Sequence, residues 1–84
     1  MHITYILQSL TSGKLYIGST SNFADRFERH NKNRSKSTKQ RGPWILLHFE
    51  IFHSKSEACK LEYTLKKWKN KKRVLAWISK QKAD

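Results

Sequence analysis

Near the start of the chain apolar and polar positions alternate with a period of two. Ile3, Tyr5 and Leu7 fall on one side and Thr4, Ile6 and Gln8 on the other, which predicts a strand over residues 3–9. Residues 14–19 repeat the pattern, with Lys14, Tyr16 and Gly18 opposite Leu15 and Ile17. The intervening Thr11-Ser12-Gly13 predicts an antiparallel hairpin, because Gly13 can take the positive φ such loops need. The pattern then changes to a helical one. Ser19, Thr20 and Ser21 are all competent N-caps for a helix through about His30, with Phe23 and Phe27 one turn apart and Arg26 and His30 forming a second i, i+4 pair at the edge of that stripe.

Residues 31–42 are polar and basic and end in Gly42-Pro43, which reads as a flexible loop that orders on an anionic ligand. Trp44 to Phe52 carries the strongest strand signal, with Ile45, Leu47, Phe49 and Ile51 expected on one face and the strand expected at the centre of the sheet. Ser54 and Glu57 form a Ser-x-x-Glu capping box before a helix whose stripe is Ala58, Leu61, Leu65 and Trp68. Asn70 caps a last helix with Val74, Leu75, Trp77 and Ile78 facing inward. The order β-β-α-β-α-α predicts an α+β fold: a small three-stranded antiparallel sheet flanked by helices, forming one domain over residues 1–84.

Composition narrows the partners. Lys plus Arg number 18 against 6 Asp plus Glu, giving a formal charge of +12 in a chain well supplied with aromatics. Seven basic residues lie between positions 26 and 41 and ten between 54 and 84. Such a surface attracts nucleic acid through phosphate contacts that carry no sequence information. Nucleic acid, DNA or RNA, is the expected partner. No segment joins a broad apolar face to a basic one in the manner of a membrane-surface helix, and no obligate protein partner is evident. The lone Cys59 suits a reducing compartment, and Met1-His2 runs directly into an apolar segment without a leader's basic region, so a cytoplasmic location is expected.

Several side chains could carry chemistry, and each has a plainer reading. Tyr5 and Tyr16 suit strands on β-propensity alone, yet a hairpin can bring both phenols to one rim. Gly18 would let a ligand's backbone approach the second strand. Arg26 is either a surface residue or a guanidinium that braces a phosphate, and His30 either closes its helix or moves protons near neutrality. Glu57 is used by its capping box, whereas Glu62 borders an apolar stripe and needs an arginine, a lysine or a hard divalent cation as partner. His2, His48 and His53 lack the spacing of a metal-ligand cluster.

Tyr5, then Tyr16-Ile17-Gly18, then Arg26-x-x-x-His30, then Glu62 within Leu61-Glu62-Tyr63-Thr64-Leu65-Lys66-Lys67 resembles the GIY-YIG endonuclease domain from Ile3 to about Trp68. The likeness is to small stand-alone members, which are similar to the incision module of bacterial nucleotide-excision repair. It implies an active site of Tyr5, Tyr16, Arg26 and Glu62, with His30 matching a helix histidine of many members. Glu62 would hold Mg²⁺ or Mn²⁺, Arg26 would brace the scissile phosphate and Tyr5, ahead of Tyr16, would take the proton of the attacking water. The implied activity is divalent-metal-dependent DNA endonuclease, structure-directed or weakly sequence-specific, with a place in repair or recombination. Lys14, Arg29, Lys32, Arg34, Lys36, Lys39, Arg41, Lys66 and Lys67 would bind flanking backbone. Two departures from the motifs stand out: Ile3-Thr4 replaces the glycine and isoleucine of the first, and Ser19 and Thr20 follow the second where some relatives carry a lysine. The rival classes are a nucleic-acid-binding module without turnover and a ribonucleoprotein component.

Overall fold

The computed structural model describes residues 1–32 and 42–82, so Arg34, Lys36, Lys39 and Arg41, expected to bind nucleic-acid backbone, and most of the 31–42 loop lie outside the described residues. Among the described residues the elements are β1 (His2–Ser9), β2 (Leu15–Thr20), α1 (Phe23–Asn31), β3 (Trp44–Phe52), α2 (Lys55–Trp68) and α3 (Lys71–Lys82). This is the expected α+β order. The strands form one antiparallel sheet ordered β2-β1-β3. No described helix is long and apolar enough to cross a membrane.

The central strand is β1, not the more apolar β3, which lies at an edge. Thr4 and Ser9 lower the hydropathy of β1, but both are buried with their hydroxyls satisfied. Thr4 Oγ1 donates to the Ala58 carbonyl of α2 at 2.6 Å, and Ser9 Oγ accepts from the amides of Thr11 and Ser12 in the hairpin loop. That loop closes where Gly13 sits at φ +77°, its amide donating to the Ser9 carbonyl at 2.9 Å.

The single apolar face expected of β3 is also corrected. Ile6 pairs with His48 but Leu7 pairs with Leu46, so Leu47 is the extra residue of a bulge. The bulge shifts the parity of the strand. Trp44 and Leu46 therefore share a face with Tyr5 and Leu7, while Leu47 packs with the opposite cluster. Farther along, Phe49 and Ile51 lie opposite Tyr5 and Ile3 but remain about half exposed.

Helices cover both faces of the sheet. Leu65 of α2 and Val74 and Ile78 of α3 pack on Ile6 and Ile17. On the other face Phe23 and Phe27 of α1 pack around Tyr5, Leu7 and Trp44. The start of α1 is set by Asn22, not by the three preceding hydroxyl residues: Asn22 Oδ1 accepts from the Asp25 amide at 3.2 Å, and Thr20 Oγ1 accepts from the Asn22 amide. At α2, Ser54 accepts from the Glu57 amide as its capping box requires, and Asn70 Oδ1 receives the Arg73 amide at the start of α3.

Gly18 is the position where the sheet makes room for an aromatic ring. It lies opposite Tyr5, and a Cβ there would stand 2.6 Å from the Tyr5 hydroxyl and 3.1 Å from Tyr16 Cε1. The glycine thus receives a ring of the protein itself, in place of the ligand backbone expected there. Because Tyr5 is fully buried, its ring cannot swing aside. Gly18→Ala is therefore expected to cost about 1–3 kcal/mol by overpacking. That corresponds to a melting temperature lower by roughly 4–8 °C per kcal/mol in a chain of this size, measurable by circular dichroism. An unchanged melting temperature would refute the close approach.

Candidate active site

The Tyr5 phenol occupies the middle of the site. Parity places Tyr5, Tyr16 and Gly18 on the α1 face, and the Tyr5 hydroxyl meets His30 Nε2 of α1 at 3.1 Å in a buried hydrogen bond. The Tyr16 ring lies beside both, its centroid 6.2 Å from that of Tyr5 and 4.7 Å from that of His30. Phe23 meets the Tyr5 ring edge-on at 5.4 Å, and Trp44 meets Tyr16 at 6.3 Å. These contacts leave each aromatic group little freedom.

The electrostatics of Tyr5 connect it with the remaining expected residues. Burial pushes its phenol well above the ordinary tyrosine range. The Tyr16 phenol raises it further by charge and by hydrogen bonding, Glu62 raises it as well, and Arg26 acts in the opposite sense. His30 is held below the ordinary histidine value, first by burial and then by the Arg26 charge, so the folded protein carries a neutral imidazole at neutral pH. Tyr5, Tyr16, Arg26, His30 and Glu62 are thus within electrostatic reach of one phenol. Arg26 itself is exposed on α1, whereas His30, one turn later, is 1% exposed.

Glu62 comes to this cluster from α2, on the other face of the sheet, at the side where β2 forms the edge. Its carboxylate is about one-fifth exposed and accepts at both oxygens: Ser19 Oγ donates to Oε1 at 2.7 Å and Lys66 Nζ to Oε2 at 2.7 Å. Cys59 Sγ lies 3.6 Å from Ser19 Oγ. Among the described residues no group of three or more His, Cys, Asp or Glu gathers as a ligand cluster. Glu62 borders an open groove of about 770 Å³ lined by Cys59, Tyr63, Lys66, Lys67 and Lys69.

A second groove, which shares Lys66 and Lys69 with the first, runs along Lys14, Tyr16 and Lys71. The expected contacts Lys14, Lys66 and Lys67 therefore border grooves adjoining the cluster. Arg29 and Lys32 project from α1 in exposed ion pairs with Asp25 and Glu28, each worth little in water. Lys69 and Lys71, in the run of lysines from Lys66 to Lys72 that is expected to grip flanking backbone, line these grooves as well. Motif and capping patterns do not single out Ser19 as a partner of Glu62. Strand parity held the missing information, since it puts Ser19 on the same side as Ile17, which packs on the helix bearing Glu62.

The chain is similar to known proteins over most of its length. The UPF0213 proteins of Staphylococcus aureus strains Mu50 and N315 are each 36% identical to the chain over 74 residues, covering 87% of this chain and 89% of theirs. The solution NMR structure of UPF0213 protein BH0048 from Bacillus halodurans is similar with a TM-score of 0.60 and 32% identity, covering 93% of this chain and 82% of that one. Residues 1–74 match the GIY-YIG catalytic domain. With that match spanning most of an α+β chain whose element order is β-β-α-β-α-α, the chain is a member of the GIY-YIG catalytic domain family, a nuclease fold.

Proposed function

We propose that the protein is a divalent-metal-dependent endonuclease that hydrolyses DNA phosphodiester bonds. The observation that carries this reading is that Tyr16, Arg26, His30 and Glu62 all act on the Tyr5 phenol from three separate elements, β2, α1 and α2. A passive binding surface has no need of a neutral imidazole buried against a phenol beside a half-buried carboxylate.

Glu62 suits a hard cation. A single carboxylate with water and substrate phosphate completing the shell is an ordinary Mg²⁺ environment. One oxygen is oriented by a hydroxyl of the sheet, and the other is held only by an exposed lysine that can swing away. Bound there, Mg²⁺ or Mn²⁺ would supply Lewis-acid stabilisation of the scissile phosphate. Arg26, exposed at the mouth of the cluster, braces the same phosphate and offsets charge as the bond breaks.

Proton transfer is assigned with burial in mind. Tyr5 is 1% exposed and its phenol is strongly disfavoured as a phenolate, which argues against its acting alone as the base expected from the sequence. Tyr16, the more accessible phenol, orients the attacking water. The proton passes toward His30 through the Tyr5 hydroxyl, which gives one proton to Nε2 as it receives another and so never becomes a free phenolate. Lys14, Lys66 and Lys67 hold the neighbouring backbone, contributing affinity without sequence choice.

Two outcomes test this reading. With nicked, flapped and branched DNA in Mg²⁺ or Mn²⁺, the wild type should cut, and Glu62→Gln, Tyr16→Phe and Arg26→Ala should each lose roughly 100-fold or more in rate. Binding by Tyr16→Phe should stay within about threefold, since it removes one hydroxyl and no charge. Equal cutting by wild type and all three variants would refute the site, and binding without cutting on every substrate would favour the passive module.

Stability should depend on pH through His30. The unfolded imidazole takes a proton near pH 6.5 and the folded one only at lower pH, so the unfolded state binds more protons between those values. Stability is therefore lost as pH falls through about 6.5, and the loss levels off once the folded imidazole also protonates. Urea midpoints measured from pH 7.5 to 5 should fall in the wild type and fall less in His30→Gln. Parallel curves for the two proteins would contradict the burial of a neutral imidazole.

A further inference from the structure

The two departures from the family motifs form one device. Thr4 replaces the isoleucine of the first motif and Ser19 opens the Ser19-Thr20 pair found where some relatives carry a lysine, and Thr4 and Ser19 are direct cross-strand partners in the β1–β2 ladder. Both project from the side of the sheet that faces α2. Thr4 Oγ1 donates to the Ala58 carbonyl at 2.6 Å, and Ser19 Oγ donates to Glu62 Oε1 at 2.7 Å. Ala58 and Glu62 are four residues apart, one turn of the same helix. Two adjacent hydroxyls on the sheet thus hold successive turns of α2.

We propose that Thr4 and Ser19 are positioning residues for Glu62: Thr4 fixes the axial register of α2, and Ser19 orients the carboxylate so that Oε2 is left for a cation. The proposal rests on the reading of Glu62 as metal ligand. The direction of the Ser19 bond follows from chemistry, because an ionised carboxylate can only accept and Ser19 must donate. The nearby Cys59 thiol is able to donate weakly to the remaining lone pairs of Ser19, which keeps the hydroxyl proton on Glu62. On the other oxygen, Lys66 comes from α2 itself at i, i+4 and is about half exposed. It is an exchangeable counterion, whereas the Ser19 contact spans |i−j| = 43 and is fixed by the sheet. A hydroxyl that restricts a ligating carboxylate in this way acts on metal affinity more than on folding.

The test follows Mn²⁺ titrated into the ¹⁵N-labelled full chain, reading paramagnetic broadening of the Leu61 and Tyr63 amides for an apparent Kd, without DNA or turnover. Wild type should broaden locally and saturably. Ser19→Ala should raise the Kd roughly tenfold or more, as loss of a hydrogen-bond partner of a metal ligand does, and Ser19→Thr, which keeps the hydroxyl, should stay within about threefold. Thr4→Val, isosteric but unable to bond Ala58, should also weaken Mn²⁺ binding. A Kd for Ser19→Ala equal to that of the wild type, while Glu62→Gln abolishes the broadening, would overturn the positioning role alone. Weakening that Ser19→Thr fails to rescue would overturn it too, by making the effect one of packing. Broadening that survives unchanged in Glu62→Gln would remove the metal reading itself, and the positioning role with it.

Discussion

The buried hydrogen bond between the Tyr5 hydroxyl and His30 Nε2 ties the central strand to the only described helix on its face of the sheet. Much of the surrounding structure follows from the need to keep those two polar groups together away from water. Removing either partner strands the other, at a cost of about 1–3 kcal/mol. Phe23 and Phe27 exclude solvent on one side and Trp44 and Leu46 on the other. Gly18 gives the ring its place, since any side chain there would meet the hydroxyl. One contact therefore links the hairpin, the first helix and the bulged edge strand.

The same burial determines what the site can do. A phenol and an imidazole in water would titrate near their ordinary values and interact weakly. Enclosed together, the phenol resists ionisation and the imidazole resists protonation. Under the proposed activity the pair would serve as a neutral proton relay, with charge supplied from outside by Arg26 and Glu62. Those two come from helices on opposite faces of the sheet, so the proposed chemistry would sit at the β2 edge, beside the lysine-lined grooves.

The sequence made the element order, the hairpin, the caps of α2 and α3 and the five polar residues of the cluster legible, because period-two and period-3.6 patterning and ordered motif spacing carry that information. It misplaced β3 for a physical reason. Hydropathy ranks strands by apolar content, whereas Thr4 and Ser9 can be central because α2 and the hairpin loop satisfy their hydroxyls. The bulge at Leu47 was equally hidden, since one extra residue alters parity without altering composition. Tyr5 was preferred as the base before its depth of burial was apparent. Ser19 was counted as a missing lysine although it reaches Glu62. In each case the deciding fact was the partner across space.

The Tyr5–His30 bond, on which the proposed relay depends, is measured directly by a double-mutant cycle. Tyr5→Phe, His30→Gln and the double variant would be unfolded in urea at pH 7.5 alongside the wild type. A coupling energy of about 1–2 kcal/mol, with the double variant less destabilised than the two single losses summed, is the expected result for a buried pair in contact. Losses that add to within about 0.3–0.5 kcal/mol would mean that the two groups do not interact, and the relay built on them would have to be abandoned.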